Sequence, residues 1–452
     1  MKTFKSLFSL LLLAIVFSGC IEEKCESELT YTVYKPVYLE ESQFRVNIEA
    51  EAARELCRTG AFYVYGDYLF ITEQEEGMHI FDNANPENPV AISFLPVGGI
   101  VGLAVRNDIL YVNNYYDLVT FSLDDPTAPD MLHRTEYAFD TYGVFNASGL
   151  NNRVVTEYIE TDETVTISCS DARWGRGCFV DATTNAFFAA DCDIRRQSSF
   201  GIADAAFANG SIGESSSNSG ASAGGQDQVL GFGGSLARFT FTNNTLYVVN
   251  ESQLEAFDLS DPARPQEAGV VQLNWGVETI FPAGDELYIG TTTGMHIMDA
   301  SDPLNPELLS TMEHVRSCDP VVVSGDRAYV TLRGGTNCGG FTNQLEVVDI
   351  TDKRNPERVQ IVQMNGPVGL SVGNDKLFVC EPGRGMSIFE LDEEGMPMES
   401  VTLVEELDDA RDVIGLHADR HLITIGELGA EQVRYSDTNE ITYLSSLEIC
   451  ND

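Results

Sequence analysis

The sequence is short of positive charge. Lysine and arginine together number 27 against 70 aspartates and glutamates, so the formal net charge over 452 residues is −43. This shortage argues strongly against a nucleic-acid partner, because few cations are available to replace phosphate counterions. It also disfavours adsorption to anionic lipid headgroups by charge.

Long hydrophobic runs are scarce as well. Residues 7–17 form a short apolar run that follows Lys2 and Lys5 in the sequence. This pattern predicts a signal peptide over residues 1–19 rather than a membrane span. No second apolar run of about 18 residues follows, so we expect a soluble body.

The end of this run carries a lipidation signal. Phe17-Ser18-Gly19-Cys20 resembles a bacterial lipobox, in which the cysteine becomes the acylated first residue of the mature protein. We therefore expect a lipid anchor at Cys20 and an outer-membrane location, on either the periplasmic or the cell-surface side. The alternative is an ordinary secretory signal with an incidental cysteine.

A repeat of about 41 residues organises most of the chain. Short β-rich runs flank a two-residue polar turn whose residues tolerate positive φ, which favours tight hairpins. These turns are Gly66-Asp67, Asn107-Asp108, Asn243-Asn244, Gly284-Asp285, Gly325-Asp326, Asn374-Asp375 and Ala418-Asp419.

A second landmark follows the turn in five units, where an apolar strand ends in Asp and a Pro-bounded corner begins, as in Phe257-Asp258-Leu259-Ser260-Asp261-Pro262. It is degraded in the sixth unit and lost in the seventh. Four short strands in each of about seven repeats, without a helical period, predict an all-β protein with a β-propeller fold. We expect seven four-stranded blades over residues 60–450. An eighth is possible, because residues 154–159 imitate a strand at the expected spacing.

The strand Leu345-Glu346-Val347-Val348-Asp349 resembles the motif of the LVIVD-repeat family, and both landmarks recur in register over roughly residues 60–450. The resemblance implies a propeller that is lipid-anchored or secreted. Most members of that family have no assigned biochemical role.

Two segments stand outside the repeats. Residues 20–59 contain the tether, and we expect this N-terminal segment to pack on the ring. Residues 170–236 include Gly-, Ser- and Ala-rich runs over 215–225, which predict a flexible insertion.

Ten cysteines allow disulfides in an exported chain. Ring closure would bring Cys57 to Cys450, and two loops on one face would bring Cys318 to Cys338. Cys169, Cys178 and Cys192 cluster in the insertion, but their spacing is poor for zinc and no histidine is near. We expect no metal site.

Catalytic signatures are missing. The six histidines are scattered, and His79 and His296 occupy equivalent repeat positions, which indicates packing rather than catalysis. No nucleophile elbow or phosphate-binding loop is present. The sequence therefore predicts no catalytic residue and no cofactor.

Four arginines are the candidate ligand-binding residues. The up-and-down topology places Arg316, Arg333, Arg384 and Arg411 on one face, where they could hold an anionic group. The alternative is that they neutralise crowded acidic side chains.

These observations favour a membrane-anchored, non-enzymatic binding or scaffold propeller of the bacterial envelope. Its partner would be a protein, a glycan or a small solute. The alternative is a hydrolase or lactonase-like enzyme with a central site, which would require acidic, amide and histidine side chains to converge from several inner strands.

The lipid anchor is testable. Cys20→Ala should leave the precursor unacylated and move it to the aqueous fraction, because burial of the acyl chains supplies the membrane affinity. Fractionation and mass spectrometry of the N-terminal peptide measure both effects. A variant that still floats with membranes would show that Cys20 is not the anchor.

Overall fold

The structure is a computed structural model, and the residues it describes fall into segments separated by gaps. These are residues 28–73, 76–139, 141–142, 145–146, 152–168, 171, 178–180, 186–189, 232–250, 252–273, 276–314, 320–334 and 342–450. Cys20, Arg316, Cys318 and Cys338 lie outside them, as does most of the segment 170–236.

The described chain is built almost entirely of strands. The first part contains β1 (Glu28–Glu40), α1 (Glu41–Phe44), β2 (Glu51–Ala52), β3 (Phe62–Tyr65), β4 (Tyr68–Glu73), β5 (Gly77–Asp82), β6 (Val90–Leu95), β7 (Leu103–Arg106), β8 (Ile109–Asn114), β9 (Asp117–Ser122) and β10 (Asp130–Thr135). The middle contains β11 (Thr141–Tyr142), β12 (Phe145–Asn146), β13 (Arg153–Ser168), β14 (Cys178–Val180), β15 (Phe187–Ala189), β16 (Phe232–Gly233), β17 (Phe239–Thr242), β18 (Thr245–Val249), β19 (Gln253–Asp258), β20 (Gln266–Gln272), β21 (Val277–Ala283), β22 (Glu286–Thr291), β23 (Gly294–Asp299) and β24 (Glu307–Glu313).

The last part contains β25 (Val321–Ser324), β26 (Arg327–Leu332), β27 (Gln344–Asp349), β28 (Glu357–Gln363), β29 (Leu370–Gly373), β30 (Lys376–Glu381), β31 (Gly385–Leu391), β32 (Pro397–Val404), β33 (Asp412–Leu416), β34 (His421–Gly426), β35 (Gly429–Tyr435) and β36 (Ile441–Glu448). Two short 3₁₀ turns, Glu405–Leu407 and His417–Asp419, interrupt this order.

The chain divides into two compact units. The first comprises Met1–Val37 and Glu157–Ile194, and its sheet has the order β13-β1-β15-β14. Its described core is made of Tyr31, Val33, Ile167, Ala186 and Phe188.

This division differs from the expected one. Segment 20–59 is split after Val37, because β1 finds its hydrogen-bonding partners in β13 and β15. Residues 154–159, considered for an eighth blade, lie in β13, whose sheet lacks the consecutive strand order of a blade. Strands β14 and β15 also occupy part of the range expected to be a flexible insertion.

The second unit, Tyr38–Thr156 with Arg195–Asp452, carries the repeats. Within its described residues, seven sheets each contain a consecutive four-stranded antiparallel meander, and β16 and β2 extend the first of these sheets to six strands. The predicted all-β propeller fold is therefore confirmed. We call them blade 1 (β3–β6), blade 2 (β7–β10), blade 3 (β17–β20), blade 4 (β21–β24), blade 5 (β25–β28), blade 6 (β29–β32) and blade 7 (β33–β36).

The polar dipeptides form the turn between the first two strands of each blade. In blades 1 to 6 two residues connect these strands, and one or both of them have positive φ, as Asn374 (53°) and Asp375 (56°) do in blade 6. Asn, Asp and Gly tolerate this conformation, so the sequence itself fixes the hairpin register. Blade 7 departs from the pattern and uses the His417–Asp419 3₁₀ turn.

The Asp-ended strands and proline corners are local structural motifs. Asp258, Asp299 and Asp349 each accept a hydrogen bond at 2.9 Å from the backbone N–H two residues further on. These bonds are the Asx turns typical of corners between strands.

Hydroxyl groups connect neighbouring blades. Tyr111 of blade 2 donates to the carbonyl of Pro262 in blade 3 at 2.9 Å, and Tyr247 of blade 3 donates to Pro303 in blade 4 at 2.5 Å. Blades 2 and 3 are therefore adjacent although about 100 residues separate them in sequence.

Similar contacts close the ring between blades 7 and 1. Ser445 donates to the carbonyl of Pro86 at 2.6 Å, and the side chains of Asn83 and Gln432 bond to each other at 2.7 and 3.1 Å. A disulfide joins Cys57, before blade 1, to Cys450, after blade 7.

The segment before blade 1 packs on blade 2 through Arg45. Its guanidinium donates two 2.8 Å hydrogen bonds to the buried carboxylate of Asp117 and one 3.1 Å bond to Glu41. It also lies 4.1 Å from the ring centroid of Tyr137. Burial alone would lower the pKa of Arg45, but these charge-assisted bonds outweigh it and raise that pKa, and they hold α1 against the blade.

The disulfide predicts a measurable contribution to stability. Cys57→Ser/Cys450→Ser should lower the free energy of unfolding of the propeller unit by about 2–5 kcal/mol, because the bond closes a very long loop in the unfolded chain. Urea unfolding, with reduced wild-type protein as the matched reference, measures this loss. Oxidised wild type and the variant unfolding at the same urea concentration would contradict it.

Candidate functional site

The four arginines do not present free positive charge as a group. Arg384 forms an ion pair with the buried Glu381, and Arg411 forms one with Glu427. Arg333 is half-buried after β26, and Arg316 lies outside the described residues. The pairing of two of the four agrees with the alternative that these arginines neutralise nearby acidic groups, while anion binding stays an untested prediction.

A serine and a histidine meet between the innermost strands of blades 6 and 7. Ser371 lies in β29, and His417 begins the turn that follows β33. The Oγ atom of Ser371 lies 3.0 Å from Nε2 of His417, and both residues are 1% exposed. This is the separation of a serine nucleophile from its general base.

Two glycines make room for this pair. A Cβ atom on Gly415 would lie 2.2 Å from Nε2 of His417 and 2.7 Å from Oγ of Ser371. A Cβ atom on Gly373 would lie 2.3 Å from Cδ2 of the same ring. The imidazole therefore fits only because both inner strands lack a side chain at these positions.

The second ring nitrogen of His417 is also bonded. Its Nδ1 lies 3.0 Å from the hydroxyl of Tyr435, which accepts a 2.9 Å hydrogen bond from Nδ2 of Asn374. Each ring tautomer satisfies both nitrogens. With the proton on Nδ1, the ring donates to Tyr435 and accepts the hydroxyl proton of Ser371 at Nε2, which is the orientation needed for proton transfer.

Burial determines the charge of this histidine. It lowers the pKa of His417 to about 4, because the imidazolium form loses its hydration. The ring is therefore neutral at pH 7, and one of its two nitrogens carries no proton.

A cavity of about 600 Å³ adjoins the serine. It opens between blades 5 and 6, on the side of the two-residue turns, and Ser371, Val372 and Gly373 of β29 form part of its wall. Phe281, Val322 and Leu391 add apolar surface, while the turns and the β31–β32 connection add polar groups. A small substrate in this cavity would reach the Ser371 side of the pair.

A second buried polar cluster lies at the opposite end of the inner strands. After pairing with β3, the chain of β16 continues to Ser235, whose hydroxyl donates to Asp412 of blade 7 at 2.8 Å and accepts from the N–H of Leu370 in blade 6 at 2.8 Å. Oδ2 of Asp412 has no hydrogen-bond partner among the described residues. Burial raises the pKa of Asp412 to about 7, against the lowering effect of its bonds to Ser235 and Val413.

The backbone of two glycines packs closely against the carboxylate of this second cluster. A Cβ atom on Gly234 or on Gly369 would lie 2.1 Å from one of the two carboxylate oxygens of Asp412. We therefore assign Asp412 to the packing of the segment that links blade 1 to blade 3. Within the described residues, no group of three or more His, Cys, Asp or Glu side chains is arranged to hold a metal ion.

The Ser371–His417 pair was not predicted from the sequence. The two residues are 46 positions apart in different repeats, and single histidines in a repeat protein indicate packing, as His79 does in its 2.8 Å bond to Glu73. Gly373 and Gly415, in equivalent inner strands, are the one available signal, because a missing side chain on both strands leaves space for a ring between them.

Comparison with known proteins identifies the repeat. A profile of the LVIVD repeat matches residues 59–93, which cover β3 to most of β6. The chain carries an LVIVD repeat. The resemblance noted from the sequence is thereby confirmed, and none of the curated proteins searched matches the chain.

Solved structures share the fold over most of the chain. A candidate 6-phosphogluconolactonase from Bacteroides fragilis covers 86% of this chain and 96% of its own at 10% identity, with a TM-score of 0.50. A protein from Lactobacillus plantarum does so at 11% identity, with the same coverages and a TM-score of 0.51. A periplasmic gluconolactonase from Pseudomonas aeruginosa has a TM-score of 0.48 at 10% identity, again with coverages of 86% and 96%. At these identities the likeness shows the fold alone.

The prediction of a non-enzymatic binding or scaffold protein is wrong. A structure described as a candidate 6-phosphogluconolactonase is among those that share this fold, so the expectation of a non-enzymatic protein does not stand. The sequence argument failed because it found no polar set converging from inner strands, whereas Ser371, Asn374, His417 and Tyr435 converge in space.

Asp412 gives a testable pH dependence. Between the unfolded pKa near 3.8 and the folded pKa of about 7, the native protein keeps a proton that the unfolded chain has lost, so stability falls as pH rises through this window. Replacing Asp412 with Asn keeps the acceptor oxygen and removes the titration.

The stability of wild type relative to Asp412→Asn should therefore fall by roughly 4 kcal/mol between about pH 4 and pH 8, since one pKa unit is worth ~1.4 kcal/mol. Urea unfolding of both proteins across this range measures the difference. Parallel stability curves would show that the carboxyl titrates near its ordinary value.

Proposed function

We propose that this protein is a hydrolase of lactones or related carboxylic esters, with Ser371 as the nucleophile and His417 as the general base. The observation that carries the proposal is the 3.0 Å approach of Ser371 Oγ to His417 Nε2 beside a cavity of about 600 Å³. The fold shared with the Bacteroides fragilis candidate lactonase supports the reaction class.

The reaction begins with transfer of the Ser371 hydroxyl proton to Nε2 of His417. The oxygen of Ser371 attacks the carbonyl carbon of the lactone, and the ring C–O bond breaks with the electron pair on the leaving oxygen. The imidazolium returns its proton to that oxygen, which leaves a hydroxyacyl ester on Ser371. A water molecule then gives a proton to His417 and attacks the carbonyl carbon of this ester. The bond from that carbon to the Ser371 oxygen breaks, the imidazolium returns the proton to this oxygen, and the hydroxy acid leaves.

Two further side chains hold the base in place. Tyr435 bonds Nδ1 of the ring, and Asn374 bonds both the Tyr435 hydroxyl, at 2.9 Å, and the backbone carbonyl of His417, at 2.5 Å. Neither is placed to react with the substrate, so both are positioning residues. They orient the imidazole ring, as the aspartate does in a serine–histidine–aspartate triad.

We place this hydrolase in the bacterial envelope, tethered through a lipid on Cys20. The support is the lipobox-like sequence that ends at this residue. The described part of the chain contains no helix that is long and apolar enough to cross a membrane.

The pair is tested by removing each member. Ser371→Ala and His417→Gln should each lower kcat/KM for a simple lactone or aryl ester by about 10³-fold or more, and the double variant should be no worse than either single one. This non-additivity is expected because the two side chains act as one unit. Initial rates from a panel of lactones and esters measure it.

Matched controls come from the same fold. Ser387→Ala removes a buried serine of blade 6 that bonds Glu381, and His296→Gln removes a buried histidine that bonds Thr311. Both control variants should keep the wild-type rate of hydrolysis. In the pH profile of wild type, kcat/KM should fall on the acid side only near pH 4, the pKa of His417. A folded Ser371→Ala protein with wild-type activity would overturn the proposal.

A further inference from the structure

The cavity beside Ser371 has an apolar patch in its wall. Phe281 and Val322 are 3% and 1% exposed, and Val372 and Leu391 are half-buried in its wall. These side chains lie on inner strands β21, β25 and β29 and at the end of β31. The part of a substrate that reaches them must itself be uncharged, because a charge there would lose its hydration without a partner.

The mouth of the cavity is acidic. The two-residue turns of blades 5 and 6 contribute Asp326 and Asp375, and the β31–β32 connection contributes Asp392, Glu393 and Glu394. All five side chains are exposed. They give this part of the cavity lining an excess of negative charge, and we call these five residues the acidic rim.

The positively charged side chain in the cavity lining, Arg327, already has an acidic partner. Arg327 donates to the carboxylate of Asp349 at 2.8 Å and to the carbonyl of Asp326 at 2.9 Å. Its charge is thus balanced by Asp349, which lies outside the cavity lining. The net charge on the lining remains strongly negative, and clefts lined by one sign of charge focus its field.

We infer that this site selects substrates by charge: it takes lactones and esters whose substituents are uncharged or cationic, and it rejects anionic ones. This inference rests on the proposed function, because it names the substrate class of that same site. It separates the chain from an enzyme for phosphorylated sugar lactones, since a phosphate group would have to pass the acidic rim without meeting an uncommitted cation in the cavity lining.

The test compares three aryl esters of the same acyl length, which end in a methyl, a carboxylate or a trimethylammonium group. With full-length wild-type protein at about 20 mM salt, kcat/KM should rank cationic above uncharged above anionic. At about 500 mM salt the three values should converge, because the screening length shrinks to a few ångströms.

A variant pair locates the effect. Glu393→Gln/Glu394→Gln should raise the ratio of anionic to uncharged kcat/KM about five-fold at low salt, as expected for two charges removed at roughly 8 Å in water. Glu87→Gln/Asp124→Asn removes the same charge from the corresponding turns of blades 1 and 2 and should leave the ratio unchanged.

The outcomes separate the two proposals. If Ser371→Ala abolishes hydrolysis but the anionic ester is cleaved as well as the cationic one, the charge selection is wrong and the hydrolase stands. A salt-independent ranking, or equal effects of the two variant pairs, also overturns the charge selection. Undiminished hydrolysis by Ser371→Ala overturns the proposed function itself.

Discussion

At six of the seven junctions between blades, a hydroxyl group donates to a backbone carbonyl in the next corner. At the junction of blades 6 and 7, Nζ of Lys376 donates to the corner carbonyl of Asp437 instead. The bonds from Tyr111 to Pro262 and from Tyr247 to Pro303 are examples, and Ser445 makes the equivalent bond to Pro86 across the closure of the ring. Such a bond satisfies two groups that packing removes from water, and leaving either one unpaired would cost about 1–3 kcal/mol. The corners and strands of the repeat therefore specify how blades pack side by side, in addition to how each blade folds.

The candidate site depends on this packing. Ser371 and His417 belong to different blades, and only the adjacency of β29 and β33 brings Oγ of one within 3.0 Å of Nε2 of the other. Inner strands of neighbouring blades lie close together. An imidazole ring therefore fits between two of them only where the strands carry no side chain. Gly373 and Gly415 provide that space.

Much of the fold could be predicted from local chemistry. Dipeptides such as Asn374-Asp375 adopt positive φ, and Asp258 caps its corner, so short-range signals determine the hairpins and the strand count of each blade. The pairing of β1 with β13 and β15 could not be predicted. Alternation of apolar and polar residues indicates a strand, but it does not specify which strand more than 100 residues away will pair with it.

The candidate site could not be predicted for the same reason, because it is formed by residues that are distant in sequence. The clustered arginines stood out in the sequence, yet the acidic partners of Arg384 and Arg411 become clear only in three dimensions. Conversely, His417 looked like one of several packing histidines. Its relation to Ser371 is a contact between repeats, and the spacing within one repeat contains no information about it.

The most direct measurement is covalent labelling of the nucleophile. A fluorophosphonate ester reacts with a serine only where a base removes its proton and a cavity admits the reagent. The account predicts that one equivalent attaches to the peptide containing Ser371, and that His417→Gln prevents the labelling. A folded protein that remains unlabelled, or one labelled at Ser387 instead, would contradict it.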